Sequence, residues 1–440
     1  MTHGAPAKLI LGFALPLMLG NVFQQLYTFV DTLVAGQALG VEALAALGAV
    51  EWLTFLMFGS IQGLTQGFSV VISQQFGAGE EGKVREAIFH AAVLSAAAAC
   101  LFTALAEGLA QTALGLLGTP VEIRGLSMTY LRILFAGIPA SFLYNASAAV
   151  LRAVGNSKTP LHAMTIASVG NIILDLLFVF GFGWGIGGAA AATVIAQLFA
   201  GLFCIRKLSE NPLLRLRRRE CRLDGQQLWK ELRLGLPMCF QNAITATGGL
   251  VVQSVINGFG VTFIAGYTAA NKLYGLLEIA ASSYGYAMAS FAGQNRGAGR
   301  MDRIGTGLRA ANLIGAGTAC IMSAVMLLFG RPILGCFLTG DAASVAASMA
   351  VGYRFLSVLA VFFPLLYVLY VTRSCIQGMG DAVFPMLSSF AQLIMRVGCA
   401  LLLTARIGES GVFYGEVLAW MGADLLLFLR YLYLKHSLGK

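Results

Sequence analysis

Hydrophobic and polar positions alternate on a coarse scale along this chain. Long apolar runs are separated by short polar stretches. The runs lie near 9–35, 46–75, 88–114, 127–151, 161–181, 187–206, 233–257, 263–291, 306–329, 347–373, 384–405 and 411–434. A helix rises about 1.5 Å per residue, so roughly 20 apolar residues cross the hydrocarbon core of a bilayer. Each run is long enough. The pattern therefore predicts an all-α membrane protein with twelve transmembrane helices.

The stretches between the runs alternate in charge. Lys83 and Arg85, Arg152 and Lys158, Arg296, Arg300 and Arg303, and Arg373 fall in one set of loops. So does the long 207–232 stretch, KLSENPLLRLRRRECRLDGQQLWKEL. The other set is poor in basic residues, with none near 36–45, 182–186 or 258–262. The positive-inside rule makes the first set cytoplasmic, and both termini with it. The expected organisation is an N-terminal six-helix lobe over 1–206, a cytoplasmic linker over 207–232 and a C-terminal six-helix lobe over 233–440. Anionic lipid headgroups are a compatible partner for the basic linker.

Composition agrees. Of 440 residues, 58% are hydrophobic and 11% charged, where a soluble domain carries about 25% charged residues. The net charge of +9 sits in loops between apolar runs, so nucleic acid is not an expected partner. The eight cysteines show no metal-ligand spacing, and most lie inside apolar runs as small buried hydrophobes. The first run is too long for a cleavable signal and reads as a span.

The two halves repeat. FALPLMLGN at 13–21 matches LGLPMCFQN at 234–242, setting Pro16 over Pro237 and Asn21 over Asn242. LRAVGNSKTP at 151–160 matches IQGMGDAVFP at 376–385. Six spans per half, starting on one side, make the repeats parallel and the lobes pseudo-symmetric, as in two-lobed secondary transporters.

Against this background two carboxylates stand out. Asp31 and Asp175 lie inside apolar runs, where insertion scales charge about 2.5–3.5 kcal/mol for such a residue. Their repeat counterparts are Val252 and Ala400. A scaffold role would recur in both halves, so the asymmetry points to function. Tyr27 and Asp31 are four residues apart, as are Asn171 and Asp175, which places each pair on one helix face.

The PxxxxN opening, VDTLVAG, the FGAG loop, LRAVGNSKTP and NIILDLLFVFGFG followed by GxxGAAxAT together resemble the multidrug and toxic compound extrusion (MATE) family over the whole chain. The resemblance is nearest to its DinF-like prokaryotic branch. It implies a MATE/MOP-type fold, a V-shaped pair of bundles in a prokaryotic inner membrane, and export of organic, often cationic amphipathic compounds in exchange for H+ or Na+. By position it assigns Tyr27, Asp31, Asn145, Asn171, Asp175 and Thr193 to cation or proton coupling and makes Pro16 a hinge in the first span. Glu278 on the eighth run is the candidate substrate contact in the second half.

Physically, burial and a second nearby carboxylate both favour a neutral acid over a charged one, and two adjoining acids titrate as a unit. That suits a proton carrier. The same carboxylates, with the Asn171 and Thr193 oxygens, are also a donor set for Na+. No cofactor is expected, no catalytic residue, and no metal beyond a coupling Na+. The expected partners are small organic substrates and membrane lipid, with the protein acting as a monomer. A flippase for an amphipathic lipid on the same fold is the alternative function. An intramembrane enzyme is remoter, because no HExxH, GxSxG or phosphate-binding GxxxxGK[ST] occurs. Pro16→Ala is expected to leave insertion intact and to cut efflux, measured as substrate accumulation in cells.

Overall fold

The computed structural model describes residues 1–338 and 342–438. The second predicted lobe also spans 339–341 and 439–440, which lie outside the described residues. Thirteen α-helices follow one another, and no strand occurs among the described residues. They are α1 (Pro6–Leu39), α2 (Val41–Gly77), α3 (Glu81–Leu116), α4 (Val121–Ala136), α5 (Ile138–Ala153), α6 (Lys158–Asp175), α7 (Gly185–Glu210), α8 (Gly225–Asn257), α9 (Val261–Gly297), α10 (Met301–Gly335), α11 (Ala342–Gly378), α12 (Val383–Ile407) and α13 (Ser410–Leu438). Between α6 and α7 the chain makes a π-helical segment, Leu176–Gly181.

Nine of these elements are each long and apolar enough to cross a bilayer, α6 counting together with its π segment. The α4–α5 pair forms a tenth span, bent by 47°. The break falls at Gly137, which lies against α7: a Cβ there would overlap the Val194 side chain. The remaining two, α8 and α9, are 33 and 37 residues long. They carry more polar groups, among them Gln241, Asn242, Lys272 and Glu278. These elements match the twelve predicted runs one for one, with helices that extend well beyond the apolar stretches.

The chain divides into two compact units, Pro16–Cys239 and Met1–Leu15 with Phe240–Lys440. Helices α1 and α8 are thus each divided within their length, α1 at Pro16. In the first unit, the start of α8 packs tightly on α2. A Cβ on Gly67 would strike the backbone of Gly235, and one on Gly63 would strike Met238; only glycine permits helices to approach this closely. In the second unit, the chain start is held by Arg300 donating to the Thr2 carbonyl at 2.7 Å and Arg303 donating to the Gly4 carbonyl at 2.9 Å.

Within 207–232 the irregular part is short, from Asn211 to Asp224. It is tied to α3. Arg85 Nε donates to both carboxylate oxygens of Glu220 at 2.7 Å, and its NH1 donates to the Leu213 carbonyl at 3.2 Å. His90 Nδ1 lies 2.7 Å from the Glu86 carbonyl, and Nε2 accepts from the Asp224 N–H at 2.9 Å. Those two hydrogen bonds require the neutral Nδ1–H tautomer. Arg85→Ala is expected to free this segment and leave the helices in place, because the guanidinium holds only this local stretch of chain. Tryptic cleavage at Arg215–Arg222 should then accelerate several-fold, read by intact-mass analysis after brief digestion.

Arg373 corrects the loop reading. It lies inside α11, buried, with NH2 donating to Gln392 Oε1 at 2.9 Å. A guanidinium near the end of an apolar run looks like a loop cation in sequence. Here α11 continues past it by a full turn.

Candidate functional site

The first unit gathers the acidic residues from three elements. On α1, Tyr27 and Asp31 share a face, and both are buried. One turn further, Val34 packs against Val179 of the π segment and Ala189 of α7, pinning α1 to both. Helix α6 ends at Asp175, where the backbone widens into the π turn, a distortion found disproportionately at functional sites. Gly188 of α7 lets that turn close in, since a Cβ there would sit 3.0 Å from Phe178 Cβ.

Asn171 and Asp175 are both 0% exposed and Thr193 is 7% exposed, so the cluster is largely shielded from solvent. The Thr193 hydroxyl donates to Asp31 Oδ2 at 3.2 Å. The neighbours of Asn171 set its amide orientation, because the Thr193 backbone N–H can only donate. The amide oxygen accepts from it at 3.2 Å, and the amide nitrogen donates to Asp31 Oδ1 at 2.9 Å. Each Asp31 oxygen therefore has a donor. The Asp175 carboxyl lies close enough to Asp31 for the two acids to interact, while neither Asp175 oxygen meets a donor among the described residues. Two carboxyl groups so placed need a proton or a cation between them.

Tyr27 extends the cluster toward Gln197, and both side chains are buried beside Asp31. Gln197 and Tyr130 are components that sequence reasoning did not single out. Gln197 is buried one turn after Thr193 on α7, so the four-residue spacing that linked Asn171 to Asp175 was available for it too. Tyr130 on α4 is close enough to feel the charge of the acids and packs on the Ala43, Ala46, Ile123 and Ile186 cluster, which no local pattern announces. Asn145 stands apart: it donates to the Ser141 carbonyl of its own helix at 2.9 Å and makes no hydrogen bond to either aspartate among the described residues. Pro16 lies inside α1, at the boundary of the two units.

The second unit is built differently. Val252 and Ala400, the counterparts of the aspartates, are buried apolar residues. Arg396, the counterpart of Asn171, pairs with Glu416, which also accepts from Trp420 Nε1 at 3.0 Å. Glu278 accepts from the Tyr370 hydroxyl and lies near Arg396, Arg373 and Glu416. Asp424 is near Arg373. Glu278 therefore belongs to a mixed network of arginines and acids, distinct in sign from the all-acidic pair of the first unit. Lys272 is exposed on α9.

Nine long apolar spans, a bent tenth and the two more polar helices α8 and α9, in two repeated halves with buried charged groups inside helices, define a multi-pass membrane transporter. The chain belongs to the MatE family, whose pattern matches residues 16–177 and 237–402; the two matches begin at Pro16 and Pro237, the prolines that open the repeat. It is 29% identical to the probable multidrug resistance protein YpnP of Bacillus subtilis (strain 168), over 98% of this chain and 96% of that one. It is 28% identical to the probable multidrug resistance protein YoeA of the same organism, over 94% and 91%. A solved structure of a MOP superfamily transporter from Pyrococcus furiosus Vc1 (DSM3638) superposes with a TM-score of 0.94 at 25% identity, covering 99% of this chain and 97% of that one. The fold is that of MATE/MOP transporters, and the family is one of multidrug efflux transporters rather than enzymes.

Proposed function

We propose that this protein is a proton-coupled antiporter that exports small organic, often cationic amphipathic compounds by alternating access. One observation carries the choice of ion. Both oxygens of Asp31 face donors, the Thr193 hydroxyl and the Asn171 amide nitrogen. A site for a hard cation needs converging oxygen lone pairs. Here the Asn171 oxygen is already engaged by a backbone N–H, and the Thr193 proton points at the carboxylate. What the pair lacks is a donor between Asp31 and Asp175, which a proton supplies. One shared proton brings the pair from two negative charges to one, and a second makes it neutral and stable in its buried surroundings. Releasing the proton leaves a buried negative charge, which favours rearrangement or an incoming cationic substrate.

The basic loops support an orientation with both termini in the cytoplasm. No cofactor enters this scheme, and a monomer suffices for it. The test is uptake of a fluorescent organic cation into liposomes holding the purified protein. An imposed pH gradient should drive uptake, and an equal Na+ gradient at fixed pH should not. Uptake driven by Na+ alone would overturn the choice of ion. Failure of both gradients across a broad panel of organic cations, with lipid-analogue translocation in the same vesicles, would move the function to a flippase.

A further inference from the structure

A second site lies in the first unit, apart from the acidic pair. Helices α3, α5 and α7 and the segment after α7 enclose a cavity of about 960 Å³, at the upper end of the roughly 300–1,000 Å³ range of small-molecule sites. Its α3 wall is a row of small residues four apart, Ala92, Ala96 and Cys100, all exposed. Beyond Cys100, Leu101, Leu105 and Leu109 continue an exposed apolar surface along α3, as expected of a face turned to lipid. Ser95 lines the cavity and is 5% exposed, and its hydroxyl has no hydrogen-bond partner among the described residues. Such a group is costly to leave unsatisfied.

The mouth has the opposite character. Leu214, Arg215 and Leu216 of the segment after α7 close one end. Leu214 is buried, while Arg215 is exposed. Arg217, Arg218, Arg219 and Arg222 follow within seven residues and are exposed as well. The acid among them, Glu220, is already taken by Arg85, so the arginines are left to face another anion. The anchoring of this segment by Arg85 and His90 keeps them beside the cavity.

We propose that this cavity binds an anionic phospholipid of the adjoining leaflet, acyl chain along the alanine row of α3 and phosphate on Arg215 and its neighbouring arginines. An apolar groove open toward lipid, joined to a cluster of arginines at the membrane surface, matches an acyl chain joined to a phosphate. The Ser95 hydroxyl gives the glycerol ester region a donor. A free organic cation fits the apolar part and is repelled at the mouth. The site lies outside the transport chemistry of Asp31 and Asp175, so it stands whether or not the antiporter reading does.

Native mass spectrometry of the full chain from nanodiscs holding phosphatidylglycerol or phosphatidylcholine tests this. Wild type should retain phosphatidylglycerol preferentially. A photoreactive acyl-chain phosphatidylglycerol should crosslink to peptides from 88–100 and 139–150. Ala96→Phe fills the groove from an exposed position, and replacing Arg215, Arg217, Arg218 and Arg219 by serine removes surface charge alone. Both are expected to reduce phosphatidylglycerol retention, the arginine variant about fivefold or more, from the contribution of arginines near a membrane surface. Equal retention of the two lipids, retention unchanged in both variants, crosslinks elsewhere, or displacement of the lipid by an organic cation would each overturn the proposal.

Discussion

Asp31→Asn is expected to abolish gradient-driven uptake, down to the level of protein-free liposomes, while leaving the protein folded and inserted. Asparagine has nearly the same shape. Its amide oxygen can still accept from the Thr193 hydroxyl, which donates to Asp31 Oδ2 at 3.2 Å. In that orientation its amide nitrogen would meet the Asn171 nitrogen at the position of Oδ1, 2.9 Å away; turned over, the new amide instead accepts from the Asn171 nitrogen with its oxygen and donates to the Thr193 hydroxyl oxygen with its nitrogen. What cannot be replaced is the proton: the amide neither takes one up nor gives one away at physiological pH. Asp175→Asn should also lose coupling, for a different reason. Its amide becomes a permanent donor to Asp31 and fills the position that a transferable proton would occupy between the two carboxyls. Thr193→Ala removes one of two donors to Asp31 and should weaken coupling without ending it. Uptake rate against imposed pH gradient, at matched reconstitution, checks all three. Full uptake by Asp31→Asn would remove the acid pair from the mechanism.

That Asp31 and Asp175 stand apart from the apolar scaffold was legible in sequence for a physical reason. Charged groups inside apolar runs are rare and expensive, four-residue spacing fixes a helix face, and the repeat supplied apolar counterparts for comparison. Other features left no such trace. The 47° break between α4 and α5 falls at Gly137, against Val194 of α7, and a bend at one glycine is not visible in a pattern averaged over a span. Arg373 looked like a loop cation because hydropathy marks where an apolar run ends, whereas the helix ends where its hydrogen bonds do. The cavity beside α3 is lined by alanines, which in sequence are indistinguishable from the small residues that let helices pack closely. The division at Pro16 has the same character. Apolar periodicity says that α1 is buried in a membrane protein and nothing about which unit its first turns join.

Arg396→Met is expected to destabilise the second unit by about 3 kcal/mol, the low end for breaking a buried ion pair, because the Arg396 and Glu416 side chains are 16% and 15% exposed. The loss leaves Glu416 with the Trp420 indole as its hydrogen-bond donor and with Glu278, a second acid, close enough to repel it. Arg396→Met with Glu416→Leu should recover most of that stability, since a buried pair replaced by apolar side chains of similar volume is often neutral or stabilising. The unfolding temperature in detergent of the single and double variants measures this directly. The double variant then separates two roles that the wild type combines. A pair kept only as scaffold predicts normal transport once stability returns. The repeat argues otherwise, because the equivalent position of Arg396 is Asn171, which acts on the acid pair, and because a pair that apolar residues can replace without loss has no reason of stability to persist. Transport by the double variant is therefore expected to stay well below wild type at equal thermal stability, placing the arginine–glutamate network in the transport cycle; transport at the wild-type rate would return it to structure.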